Sequence, residues 1–340
     1  MTTIKDVAKE AGVSVGTVSR ALNEYTDISE ETKNRIIQVA NTMGYSPNLG
    51  AKNLSTKKKN GISILFSDNM EFSEMDDERG QEYFFKQLLG ACRFMEENDM
   101  ELAIYHTTSK RQKLKSYDQF CKEHGIAGTI CYGLFTTDRY YKELPESKCH
   151  CVTVDYDVAG TNKVAIITDD MQAMYELTKK VLEKGYERIV FLNGKKNTEV
   201  CKKRLKGIKR ALKEYGMNLN NEDVILTDFK MNQAEAKVDK FLQENRLDQK
   251  TAIMGITDFV AVGAYKAIMR AGLRVGQDIG LTGFDGISAS YFTFPAIMTV
   301  QQNPMEKGYM AAKVLTDIVK GKTVDKEICV PYTILERPSI

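Results

Sequence analysis

At 340 residues the chain is too long for one ordinary domain, and 42% hydrophobic with 28% charged residues is the composition of packed cores, not of a disordered or fibrous chain. The formal charge of +2 identifies no partner by itself. Its placement is more informative: residues 1–60 hold nine Lys and Arg against six acids, +3, while the remainder is about neutral, which favours an anionic partner at the N-terminus.

Lys5, Asp6, Lys9 and Glu10 interrupt any apolar run at the start, so no signal peptide is expected. Thr3 followed by Asp6 reads as a capping box opening a short helix with Val7, Ala8 and Ala11 inside. Gly12 ends it by taking the left-handed conformation. Ser14 then caps a second helix, Val15 to about Leu22, and the pair forms a helix-turn-helix. Ser29 caps a third helix running to Met43, with Ile36, Ile37, Ala40 and Met43 at helical spacing, and Gly44 stops it. In such a unit the N-terminal end of the second helix faces base edges in the major groove. Arg20 suits bidentate contact with guanine, and Ser14, Thr17 or Ser19 reach phosphate or base. A generic helical hairpin with a solvated Arg20 is the alternative on these residues alone.

Pro47 blocks continuation of the third helix, and Asn48 to Leu54 has room for barely two turns. So short a helix does not persist alone in water, and Gly50 weakens it by about 1 kcal/mol. Lys57, Lys58 and Lys59 face phosphate or form a solvated linker.

From Gly61 onward strand-like and helix-like stretches alternate. Strands are expected at 62–66, 101–105, 128–132, 151–154, 188–192, 224–227, 252–256 and 280–283. Helices are expected at 83–98, 116–124, 171–184, 200–215, 233–245 and 260–271. This rhythm predicts an α/β core of parallel sheets with helices on both faces. Its repeats exceed one sheet, so two doubly wound subdomains are expected, with ligand in the crevice beyond the strands' carboxyl ends. No run of about 18 apolar residues predicts a membrane span. Cys149-His150-Cys151 would alternate thiols and imidazole across a strand, and the seven cysteines lack any CxxC pair, so no metal is expected and a reducing compartment is. Gly194-Lys195 lacks the upstream glycine of a phosphate loop, and Gly280-Leu281-Thr282-Gly283 lacks dinucleotide spacing. His106, His124 and His150 stand near no nucleophile elbow. Neither an enzyme nor a cofactor is expected.

The run from Thr3-Ile4-Lys5-Asp6-Val7-Ala8 through Val18-Ser19-Arg20-Ala21-Leu22-Asn23, continued by Gly44-Tyr45-Ser46-Pro47-Asn48, closely resembles the DNA-binding start of the LacI/GalR family of bacterial regulators. The body is similar to that family's core, itself like periplasmic sugar-binding proteins. The likeness lies in Ile256-Thr257-Asp258-Phe259-Val260-Ala261, Gly280-Leu281-Thr282-Gly283-Phe284-Asp285, Arg204-Leu205-Lys206-Gly207 and Thr299-Val300-Gln301-Gln302. The resemblance implies a DNA-binding domain at 1–47, a hinge at 48–60 and an effector-binding, dimerising core at 61–340. The core's subdomains would comprise 61–157 with 286–316, and 158–285 with 317–340.

By the same resemblance Val15, Gly16 and Arg20 read operator bases. Gly16 has no side chain to read with, so specificity leans on Val15 and Arg20. Leu54 matches the hinge leucine that wedges into the minor groove, beside Ala51, with Asn48 opening the segment. Arg204 and Asp285 stand where the family grips ligand oxygens, as a rigid guanidinium fork and a carboxylate do for hydroxyls. Asp155, Asp258, Phe229 and Ser67 are further effector candidates. Thr257 stands where the family usually has Asn, and Pro304 where some members have an aromatic residue.

The implied protein is a cytoplasmic, sequence-specific transcriptional repressor of a carbohydrate-utilisation operon. It would bind a pseudo-palindromic double-stranded operator as a homodimer, without membrane contact, under a sugar or sugar-phosphate effector. The lactose repressor's C-terminal leucine-repeat tail is missing, so tetramers are not expected. The alternatives are a sugar-binding protein without DNA function and a regulator whose core answers to a protein co-regulator.

Overall fold

The computed structural model describes residues 2–22, 25, 27–45, 61–67, 81–195, 198–245 and 247–340. The expected hinge, with Asn48, Ala51, Leu54 and Lys57 to Lys59, lies outside them. The chain divides into two units, Met1–Asn60 and Gly61–Ile340.

The first unit packs three helices, α1 (Ile4–Glu10), α2 (Val15–Leu22) and α3 (Glu30–Thr42), around Val7, Ala8, Ala11, Val18, Ala21, Ile36 and Ala40. The capping box is present: the Thr3 N–H donates to Asp6 at 2.8 Å and the Asp6 N–H to the Thr3 hydroxyl at 3.4 Å. Gly12, at φ +65°, makes the turn that brings α2 onto α1.

Among its described residues the second unit holds twelve strands in two six-stranded sheets. The first sheet contains β1 (Gly61–Ser67), β2 (Leu102–Thr107), β3 (Ile126–Tyr132), β4 (His150–Val154), β5 (Lys163–Ile167) and β11 (Glu327–Cys329), in the order β11-β5-β4-β3-β1-β2. The second contains β6 (Arg188–Asn193), β7 (Val224–Leu226), β8 (Thr251–Gly255), β9 (Gly280–Asp285), β10 (Met298–Gln301) and β12 (Thr333–Leu335), in the order β12-β10-β9-β8-β6-β7. Every neighbouring pair is parallel except β10 with β12. Each sheet and its helices form one lobe.

Lobe membership differs from the expected boundaries. Lys163–Ile167 pairs with β4 and completes the first sheet, whereas Met298–Gln301 pairs with β9 in the second. The chain therefore crosses between lobes near 168–169, 302–303 and 330–332, not at 157, 285 and 316. Both strands are short and buried, and hydropathy marks such a strand as internal without saying which sheet it joins. The crossovers are stitched together: the Thr168 hydroxyl donates to Gln302 at 2.8 Å, and the Val330 N–H donates to the Ile167 carbonyl at 2.8 Å.

Helix Pro304–Val319, which the periodicity reading omitted, covers β3, β4 and β5 and packs against helix Gln81–Glu97. The two helices meet at Gly90 and Gly308, where a Cβ on either would collide with the facing backbone. Among the described residues no helix is long and apolar enough to cross a membrane.

Candidate functional site

The N-terminal unit presents the start of α2. The Ser14 hydroxyl accepts from the Thr17 N–H at 3.1 Å and pairs with the Thr17 hydroxyl at 2.8 Å, so both side chains fix the helix start. Val15 is 40% exposed, Gly16 is exposed and Ser19 half-buried. The Arg20 guanidinium reaches back along the same face to the Gly16 carbonyl at 3.4 Å and pairs with Asp27 at 2.8 Å, in an exposed contact of small energetic weight.

In the second unit, candidate residues converge at strand carboxyl ends. Asp155 follows β4, Asp285 ends β9, and Phe229 lies just beyond β7. All three hold left-handed backbone, at φ +67°, +120° and +64°. Non-glycine residues enter that region at a cost of about 1–3 kcal/mol, retained where the surroundings impose it, and such positions gather at ligand sites. The Phe229 ring lies across Gly194 at the end of β6, in space that a Cβ would occupy. Ser67, at the end of β1, is fully buried.

Arg204, on helix Glu199–Glu214, is buried. Its Nε donates to Asp170 at 2.8 Å, a second nitrogen donates to the Ile256 carbonyl, and the guanidinium stacks 3.5 Å from the centre of the Phe284 ring. Asp285 stands 4.0 Å from it and accepts from Gln302 Nε2 at 2.8 Å. Burial pushes the Asp285 carboxyl up to about 7, against the pull of Arg204, so its charge changes near neutrality.

A polar chain continues from Gln302 into the first lobe. Lys307 Nζ donates to Gln302 Oε1 at 2.6 Å, to the Tyr83 hydroxyl at 3.1 Å and to the Asp155 carboxylate. Asp155 also accepts from Gln87 at 3.2 Å and from Tyr83 at 3.4 Å. At the lip of the crevice Lys203, from the second lobe, pairs with Asp157 of the first at 3.0 Å. A cavity of about 480 Å³ borders this chain, lined by Tyr83, Asp285, Gln302, Asn303 and Pro331 among others. Pro304 lines it too and is the first residue of its helix.

Two candidates fall elsewhere. Asp258 is fully buried: its carboxylate accepts from the Thr299 hydroxyl at 2.5 Å and the Ile287 N–H at 2.8 Å, tying helix Asp258–Arg270 to β10 and to the segment after β9. Its role is internal, and Gly283 makes room for it. Thr257 caps the same helix, its hydroxyl accepting from the Val260 N–H at 3.2 Å. Periodicity overlooked Lys307, Gln302, Tyr83, Gln87 and Asp170. One signal was available for Lys307, a lysine on the apolar stripe formed by Pro304, Gly308, Ala311 and Leu315.

A helix-turn-helix joined in one chain to a two-lobed α/β binding core defines a DNA-binding regulator with a ligand-binding core. Residues 3–48 match the family described as bacterial regulatory proteins, lacI family, and residues 77–337 match periplasmic binding proteins and sugar binding domain of LacI family. The chain belongs to the LacI family. It is 27% identical over 331 residues to the HTH-type transcriptional repressor PurR of Vibrio vulnificus (strain CMCP6), covering 96% of this chain and 95% of that protein. It is 28% identical over 345 residues to catabolite control protein A of Priestia megaterium, covering 99% and 98%. In fold it resembles the Lac repressor dimer bound to operator and the anti-inducer ONPF, with a TM-score of 0.84 at 20% identity over 99% of this chain and 98% of that one. It also resembles a complex of the transcriptional regulator CelR with cellobiose, with a TM-score of 0.72 at 21% identity over 100% of both chains.

Proposed function

We propose that the chain is a homodimeric, cytoplasmic repressor of a carbohydrate-utilisation operon, controlled by a small polyhydroxylated effector held between the lobes of its core. The observation that carries this reading is that Asp155, Phe229 and Asp285 all stand in left-handed backbone just at or beyond strand carboxyl ends, with the buried Arg204 4.0 Å from Asp285. Carboxylates that accept, a guanidinium that donates and a ring that stacks are the groups a polyol needs. Each α2 would read one half-site through Val15 and Arg20, with Leu54 entering the minor groove at the centre.

Dimerisation is supported by exposed apolar residues on both lobes: Phe85, Leu89 and Ile104 on the first, Tyr291, Phe292 and Phe294 on the second. The two groups adjoin, because Glu82, one turn before Phe85, bonds Ser288, one turn before Phe292. Such a patch marks an interaction surface. A second reading is a core that answers to a protein co-regulator. It is favoured by one observation, the occupation of Asp155 by the chain's own donors.

Electrophoretic shift of DNA upstream of the neighbouring genes, with and without a panel of sugars, tests the proposal. The expected result is site-selective binding altered by at least one sugar. No preference over random DNA would remove the operator role, and site-selective binding indifferent to every sugar would favour the co-regulator.

A further inference from the structure

We propose that Lys307 determines what the crevice accepts: its ammonium fills the subsite on Asp155 that a ligand's donor groups would otherwise take. The proposal rests on reading the crevice as an effector site and names the chemistry of the effector.

An ammonium carries three N–H donors. In this chain each has an acceptor, namely the Asp155 carboxylate, Gln302 Oε1 at 2.6 Å and the Tyr83 hydroxyl at 3.1 Å. Lys307 is 0% exposed, so its charge is withdrawn from water and tolerated because it is paired on every side. The arrangement is held by its frame: helix Pro304–Val319 carries Lys307, helix Gln81–Glu97 carries Tyr83 and Gln87, and the Gly90–Gly308 contact sets their separation.

The charge balance then selects the ligand. The charge of Arg204 is balanced by Asp170 and Asp285, with one N–H on the Ile256 carbonyl, and the charge of Lys307 by Asp155. Two buried cations thus face three acidic side chains, Asp155, Asp170 and Asp285, the last of them held toward its neutral form by burial. A phosphate or carboxylate entering here would meet acceptors with no uncommitted cation among the groups of this chain of contacts. A ligand that reaches Asp155 must bring a donor in place of the ammonium, as an amine or an uncharged polyol does. The part of the effector that meets Asp155 is therefore an amine or a hydroxyl and not an acidic group; Lys86, paired with Glu82, lines the cavity outside this chain of contacts.

The test is chemical rescue in the full-length protein. Lys307→Ala leaves a space of about the size of a short alkylammonium ion. Thermal unfolding of wild type and variant is followed while ethylammonium chloride is titrated, with potassium chloride at equal ionic strength, 1-propanol and inorganic phosphate as comparisons. Ethylammonium should raise the midpoint of Lys307→Ala by a few degrees with saturation, leave wild type unmoved, and have no such effect on Lys307→Ala/Asp155→Asn, from which both charges are gone. An equal rise with 1-propanol or phosphate, an equal rise in wild type, or no rise in the variant overturns the proposal. If Lys307→Ala does not fold, the double variant decides: recovery of folded protein is expected from removing the stranded carboxylate, and its failure counts against the pairing. An effector reading that is itself wrong would appear separately, as an absence of heat in sugar titrations of wild type while rescue persists.

Discussion

Gly308 packs so closely on the backbone of Gln87 that a single added methyl group at Gly308 would overlap the Gln87 carbonyl oxygen. The helices that carry Lys307 and Tyr83 are locked at this distance, and the polar network between them depends on it. Gly308→Ala should force the helices apart and cost about 1–3 kcal/mol, the usual penalty of overpacking. Urea unfolding checks this, and an unchanged midpoint with an unchanged slope would show that the contact yields freely.

Arg20 has a resting partner in Asp27 at 2.8 Å, an exposed pair worth no more than about 1 kcal/mol. A guanine edge therefore competes with a weak contact. Arg20→Ala should weaken binding to the specific operator by about 1–3 kcal/mol and leave effector binding by the core intact. The comparison that matters is random DNA: an equal loss there would assign Arg20 to phosphate, not to a base.

Burial raises the Asp258 carboxyl to about 6 from an ordinary 3.8, in spite of the hydrogen bonds from Thr299 and Ile287. The folded state thus holds this proton more tightly than the unfolded chain. The stability linked to it is complete below about pH 4 and is lost as pH rises through 6. Asp258→Asn removes that dependence. Relative to wild type the variant should gain roughly 1–2 kcal/mol between about pH 5 and about pH 7.5. Denaturant melts of both proteins at the two pH values test it, and parallel curves would reject it.

Phe292 and Phe294 are 80% and 89% exposed, more than any other large apolar side chain among the described residues. If they seat against a second copy, Phe292→Asp should place a charge in that interface and shift the protein to monomer in sedimentation, without lowering the stability of the lobe that bears it. A dimer that survives the substitution would move the interface elsewhere.

The sequence made some of these features legible and hid others for physical reasons. Thr3 with Asp6, and Gly12, signal α1 and its turn through local chemistry alone, and the first unit follows. Arg204 and Asp285 were readable because they sit in conspicuous family motifs, Arg204 within helix Glu199–Glu214 and Asp285 at the end of β9. Asp258 was equally conspicuous, yet at the first turn of a helix a carboxylate can face a crevice or the interior, and Gly283 decides for the interior. Sheet membership of Lys163–Ile167 and Met298–Gln301 depends on long-range pairing that periodicity does not encode. Lys307 finds its partners across the fold, in Tyr83 and Asp155. No spacing rule connects such distant positions.

Gln302 belongs to neither lobe: it lies on a crossover and holds Asp285 through its nitrogen while its oxygen receives Lys307 and Thr168. A molecule gripping only one lobe would still tug on the strap that joins both. Exchange of any one of these three partners would therefore be felt at a crossover of the core and not within a single sheet.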